Sequence, residues 1–276
     1  MLKDNEGEIN GTIKLIFQPA EEGGAGGKMM RDQGVLEDPD VERIFGLHVS
    51  DKLPTGTLAS KEGTLLAATS SIKILVSGNG GHAAMPHLTV DPVVTGSKIV
   101  VELQTLVSRE LDPLESGVIS ITMANAGSAT NVIPSSMELQ GTIRSLTSDG
   151  ITRLQQRVRE VAEAIAMANR CIAEVTFPGN DFPPTVNDGE CWELGRISAG
   201  EILGEECVSE MGSIMGGEDF SYYTQVIPGC FSFLGVGNPE IGAVYGVHHP
   251  KFKVDEDALS LGTAIHVNTA FKALAG

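Results

Sequence analysis

Between residues 69 and 178 the sequence runs strand, helix, strand, strand, helix, strand, and that order admits few folds. Ser70-Ser-Ile-Lys-Ile-Leu-Val-Ser77 alternates like a half-exposed strand. Asp91-Pro92 then opens a helix reaching about Arg109, with an aspartate cap and proline at the first position. Strands follow at Gly117–Asn125 and Ser136–Arg144. Ser148 or Asp149 caps a second helix to about Ala168, with Val158, Val161 and Ile165 at helical spacing. Ile172–Phe177 is the last strand. This is the ferredoxin-like β-α-β-β-α-β order, an α+β unit.

The segments on either side have α/β character. Ile13-Lys-Leu-Ile-Phe17 is an apolar run bounded by Gly11 and Pro19, the pattern of a strand buried on both faces. Beyond it lie Glu21, Glu22 and the glycine-rich turn Gly23–Gly27. An extended chain would point the two carboxylates to opposite sides, one toward a metal and one toward a substrate. A short helix, Lys28–Gln33, follows. A phosphate-binding loop does not fit: Glu22 stands where its first glycine belongs, and Met29 follows Lys28 in place of Ser or Thr. Arg43–Val49 reads as a second strand with His48 near its carboxyl end, a parallel neighbour of the first. A connector at 178–186, a helix at Cys191–Gly204, strands near Val208–Met211 and Cys230–Val236, and a final helix at Ala258–Leu274 complete the chain. The expected division is 1–68 and 179–276 as two parts of one α/β domain, with 69–178 inserted between them.

Composition narrows the function. A net charge of −17 argues against nucleic acid, which needs a basic footprint. No apolar run approaches bilayer-spanning length, and the polar, acidic start Met1–Glu8 is no signal peptide, so no membrane partner is expected and the cytoplasm is favoured. Cys171, Cys191, Cys207 and Cys230 form no Cys-x-x-Cys pair and read as packing residues. No Gly-x-Ser-x-Gly element supports a serine hydrolase. His248-His249-Pro250, with Glu22 and His48, offers the imidazole and carboxylate ligands that zinc and manganese accept.

Seven segments occur in the order of one family: Gln18–Gly27, Phe45–Val49, Gly81–His87, Asn131–Pro134, Gly141–Arg144, Met215–Phe220 and His248–Phe252. Together they resemble the aminoacylase/carboxypeptidase-type metallopeptidases, the M20 family. The nearest branch is that of indole-acetyl-amino-acid hydrolases, hippurate hydrolases and N-acyl-amino-acid amidohydrolases. The resemblance implies a zinc-peptidase-like α/β catalytic domain carrying an inserted ferredoxin-like satellite domain. It implies hydrolysis of the amide bond of N-acyl amino acids with a divalent metal, zinc or manganese, two ions in the complete site. Glu21 would be the general base acting on a metal-bound water, and Glu22, His48 and His248 would be metal ligands. His82 would polarise the scissile carbonyl. Asn131, Arg144, Gly217 and Glu218 would contact the substrate. A homodimer through the satellite domain is expected.

One departure stands out. The family's two further ligands lie in a Cys-x-His element well before the Glu-Glu pair, and Met1 precedes Glu21 by only twenty residues. The expectation is therefore a member truncated at its N-terminus, with an incomplete catalytic domain. The alternative is a catalytically incompetent homologue acting as a binding or dimerisation protein.

Overall fold

The computed structural model describes residues 1–179 and 181–275; Asn180, in the connector read at 178–186, and Gly276 lie outside the described residues. The chain is a mixed α/β protein with two compact units. One comprises Met1–Leu66, Thr185–Ile214 and Glu218–Gly276; the other comprises Ala67–Pro184 and Met215–Gly217.

The second unit is built on one antiparallel sheet. Its spatial order is Gly117–Ala126, Ser136–Ser145, Ala68–Ser77 and Ile172–Thr176. Alternate residues of the strands, among them Ile72, Ile74, Val76, Leu139, Ile143 and Val175, share one core with Ile99 and Leu103 of one helix and Leu154 and Val158 of the other. Both helices therefore cover the same face. Each fully buried Leu or Ile contributes roughly 1.5–3 kcal/mol through the apolar area it removes from water. The first helix, Pro92–Thr105, starts as its sequence dictates: the Asp91 carboxylate accepts from the Val93 and Val94 amides at 2.8 and 3.3 Å. It ends in a π turn, Leu106–Glu110. The second, Ser148–Ala168, is capped by Thr147, whose hydroxyl accepts from Gly150 N at 3.0 Å. The cap thus falls one residue before Ser148 and two before Asp149, the expected caps, because Thr147 has the extended backbone a cap requires.

The first unit holds a sheet in the order Ile44–Pro54, Gly229–Gly237, Leu58–Ser60, Val208–Glu210. Gly229–Gly237 runs parallel to Ile44–Pro54, with His48 opposite Phe233. Its side chains alternate between two cores. Cys230, Leu234 and Val236 pack with Trp192 and Ala199 of helix Gly189–Leu203 and with Ala258 and Ile265 of helix Asp257–Leu274. Phe231 and Phe233 point the other way, into a core with Leu65, Phe220 and Tyr223. All four cysteines are free thiols; Cys191 and Cys230 belong to the first of these cores, where burial pushes their pKa values up to about 12 and about 11. Among the described residues, no helix is long and apolar enough to cross a membrane.

The run Ile13–Phe17 corrects the sequence reading. It forms no strand, and the expected parallel pairing with Ile44–Pro54 is not made: among the described residues that edge strand pairs with Gly229–Gly237 alone. Its side chains alternate all the same. The Lys14 ammonium donates to the carbonyls of Val35, Glu37 and Pro39 at 3.1, 2.7 and 3.2 Å, and Ile16 packs on the Phe231 core. Leu15 and Phe17 face outward, 65% and 85% exposed. The segment is tethered by side chains from one face rather than by a backbone ladder.

Candidate metal centre

The tethered segment ends at Gln18-Pro19, where the chain turns sharply. Ala20 and Ala25 take left-handed backbone angles, φ 58° and 50°. Between them Glu21–Gly24 makes a single helical turn, interrupted at Glu22 and Gly23. Gly26 has no room for a side chain, since a Cβ there would lie 1.7 Å from the Pro19 carbonyl oxygen. The two glutamates diverge because this turn rotates them, not through the extended-chain alternation expected from sequence. Glu21 is half-buried; the Glu22 side chain is 76% exposed.

His48 and His248 approach this turn from other elements. The Nδ1 of His48 lies 2.7 Å from the Val49 carbonyl oxygen. A carbonyl can only accept, so Nδ1 carries the hydrogen and the Nε2 lone pair is left free, the usual preparation of a metal-binding imidazole. Its ring leans on Phe233 at 5.7 Å. His248, also in the left-handed region at φ 66°, brings Nδ1 to 3.7 Å from Oε1 of Glu22. That spacing is too long for a hydrogen bond and leaves both atoms available to a shared partner. His249 is engaged otherwise: its Nδ1 accepts from the Lys251 amide at 3.0 Å, and its ring stacks on Tyr245 at 4.5 Å.

A third set of groups closes the site from the segment after Gly217. Glu21, Glu218 and Asp219 each offer a carboxylate oxygen, and these oxygens lie within 4.8 Å of one another. Burial pushes Glu218 up to about 8, and the charges of Glu21 and Asp219 add to the rise. Glu21 is also raised, first by burial and then by Asp219 and Glu22, while His48 and His248 pull it down. Sequence reasoning named Glu218 but not Asp219; its place beside Glu218 in Gly216-Gly-Glu-Asp-Phe220 was the available signal. Clustered, mutually repelling carboxylates beside an imidazole with a free nitrogen suit a divalent cation that takes oxygen and nitrogen ligands.

The remaining predicted residues belong to the other compact unit. Gly81–His82 pairs with Val132–Ile133, and the Ala83 amide donates to the Asn131 carbonyl at 3.0 Å, so His82 and Asn131 sit on one exposed two-stranded bridge. His82 Nδ1 accepts from the Ala84 amide at 3.1 Å, which puts the proton of a neutral ring on Nε2. Arg144 lies one residue from the end of its strand, beside Thr69 and Val118, and its Nη1 donates to the Met215 carbonyl at 2.5 Å. Gly217 fits closely against Thr69, whose Cγ2 a Cβ would approach to 2.5 Å.

A family description, peptidase family M20/M25/M40, matches residues 1–272. This chain belongs to that family. It is 43% identical to IAA-amino acid hydrolase ILR1-like 4 of Arabidopsis thaliana over 99% of its own length and 62% of the relative's. It is 38% identical to the N-acetyldiaminopimelate deacetylase of Leuconostoc mesenteroides, over 94% of this chain and 66% of that one. Among solved structures, the YXEP protein of Bacillus subtilis, a dinuclear metal binding peptidase of the M20 family, is 31% identical with a TM-score of 0.81, over 99% of this chain and 68% of that one. The chain thus spans about 62% of the length of the first of these relatives.

Proposed function

We propose that the protein is a metal-dependent amidohydrolase of N-acyl amino acids, the substrate type named for its plant and bacterial relatives. The observation that carries the reading is the prepared ligand set: a free Nε2 on His48, and a Glu22 oxygen and His248 nitrogen 3.7 Å apart without bonding, beside half-buried Glu21. Glu22, His48 and His248 would hold the metal, zinc or manganese. When bound, it would supply Lewis acidity and an acidified water. Glu21, raised by burial and by its acidic neighbours, has the enhanced basicity of a group that takes a proton from water and returns it to a leaving amine. In the other unit, His82 presents an Nε2–H suited to a carbonyl oxygen, and Asn131 shares its bridge. Arg144 has a guanidinium fork suited to the substrate carboxylate, with one nitrogen engaged by Met215. Gly217 and Glu218 would each contact the substrate.

The unit containing 67–184 acts in this reading as a ferredoxin-like satellite domain inserted in the catalytic domain, and it joins two copies of the chain. Its edge strand Gly117–Ala126 supports that role, because residues 122–126 are exposed along an unpaired backbone edge.

Metal content after dialysis tests the ligand set. Glu22→Gln, His48→Ala and His248→Ala should each lose metal, and His249→Ala should keep it. Glu21→Gln should keep metal while abolishing hydrolysis of hippurate or an indole-acetyl amino acid. Metal lost from Glu21→Gln but retained by Glu22→Gln would exchange the two roles.

A further inference from the structure

Asp219 is fully buried, and its two oxygens bind opposite ends of one turn. Oδ1 accepts from Nε2 of Gln18 at 2.6 Å, and Oδ2 accepts from the backbone amide of Gly27 at 2.8 Å. Gln18 and Gly27 bracket the segment that bears Glu21 and Glu22. The turn they close is not one the chain adopts easily: Ala20 and Ala25 are both left-handed, a region that residues with a Cβ avoid. Such conformations persist where surrounding structure over-determines them. The turn's own backbone bonds, Gly24 to Ala20 and Met29 to Ala25, are local, whereas Asp219 reaches it from about two hundred residues away in sequence.

The fit is close on every side. A Cβ on Gly27 would come 2.6 Å from the Asp219 carbonyl oxygen and 3.0 Å from Oε1 of Gln18. Keeping a carboxylate here, beside Glu21 and Glu218, is electrostatically unfavourable, and the two donors offset that cost. A residue serving only as a metal ligand would not need both oxygens engaged by opposite ends of the turn.

We infer that Asp219 is a positioning residue: it clips the ends of the 18–27 turn together and so sets Glu21 and Glu22 for the metal. The inference rests on the metal reading above, and two measurements separate them. Protection of the Gly27 amide, followed by NMR hydrogen exchange, reports the clip. Titration with Co²⁺ alone, followed by visible absorption, reports the metal site.

Asp219→Asn can still accept from Gly27 and can donate to a flipped Gln18 amide, so it should retain Gly27 protection and Co²⁺ affinity close to wild type. Asp219→Ala should lose the protection and roughly 10- to 100-fold in affinity, the usual cost of removing a group that orients a ligand. Gln18→Leu alters no metal-binding atom, yet it should weaken Co²⁺ binding in the same direction. It also serves if Asp219→Ala fails to fold. Asp219→Asn binding Co²⁺ as weakly as Asp219→Ala with Gly27 still protected would make Asp219 a ligand and overturn the inference. Unchanged affinity and Gly27 protection in Gln18→Leu would overturn it too. Absence of Co²⁺ uptake by the wild type would sink the metal reading alone. The clip would then stand if Gly27 protection is lost in Asp219→Ala and kept in Asp219→Asn, and fall if Asp219→Ala leaves it unchanged.

Discussion

In the unit built on 67–184, hydrophobic alternation, helix caps and sheet order agree with one another. Asp91 and Thr147 cap its long helices, and its strands send alternate residues into a single core. The other unit departs from local rules repeatedly. Among the described non-glycine residues, Ala20, Ala25, Asp38 and His248 hold left-handed backbones there, against Arg170 alone in the unit built on 67–184. Two carboxylates, Glu218 and Asp219, are buried side by side. Thr185 Oγ1, Ser221 Oγ and Tyr223 OH are buried without a hydrogen-bond partner among the described residues. The difference teaches where conformational strain is kept. At the candidate metal centre it is held by Ala20, Ala25 and His248, as expected of sites whose geometry is set by chemistry rather than by propensity.

The contrast can be broken most forcefully in the regular unit. Leu139 is fully buried in the sheet core, so Leu139→Ala should cost about 2–5 kcal/mol in urea unfolding through lost transfer energy and a cavity. Metal affinity of the folded variant should not change. A loss of under about 1 kcal/mol would show that this core is less close-packed than its burial implies.

A second test sharpens the electrostatic side. Glu218 is held up to about 8 from an ordinary value of 4.5. Between those two pH values the unfolded chain has released a proton that the native state still holds. In the presence of a chelator, stability should therefore fall as pH rises across that window, by on the order of a few kcal/mol. Below it, both states are protonated and the effect vanishes. Glu218→Gln should flatten the slope when urea unfolding is compared at pH 5 and pH 8. An unchanged slope in Glu218→Gln would assign the pH dependence to another group.

The smallest effect is expected at the exposed run. Phe17 is 85% exposed although it ends an otherwise largely apolar run, Ile13–Phe17. Phe17→Ser should change thermal stability by no more than about 0.5 kcal/mol, like other surface substitutions. A loss several times larger would show that Phe17 packs against something in solution and that the segment is not one-sided.

Much of the fold was legible before any coordinates. Helix Pro92–Thr105 announces itself through Asp91-Pro92, because an aspartate cap and a proline at the first position act within one turn. The strand at Gly229–Gly237 is legible for a similar reason: Cys230–Val236 is apolar on both faces and is buried on both faces. Ile13–Phe17 has the same signature and behaves differently. A run of apolar residues records suitability for a sheet, but a strand exists only where its backbone joins a ladder. Ile44–Pro54 pairs on one side with Gly229–Gly237 and takes no strand on its other edge among the described residues, and Ile13–Phe17 is held by Lys14 and Ile16 instead. Lys14 gave no warning, since its three carbonyl partners lie more than twenty residues further along.

Sequence alone determined the β-α-β-β-α-β order of the main elements over 69–178 and their approximate bounds, and it marked Glu21, Glu22, His48, His82 and His248 as candidate functional groups. The elements follow from periodicity and caps, which act over a few residues, and the candidate groups follow from the resemblance of their motifs to the family. Tertiary structure alone decided that Asp219 meets Gln18 and Gly27, that burial and neighbouring carboxylates lift Glu218 to about 8, and that His48 spends Nδ1 on a carbonyl and keeps Nε2 free. The reason is physical. Hydrogen-bond geometry and desolvation depend on which distant segments share a small volume, and no local pattern encodes that proximity.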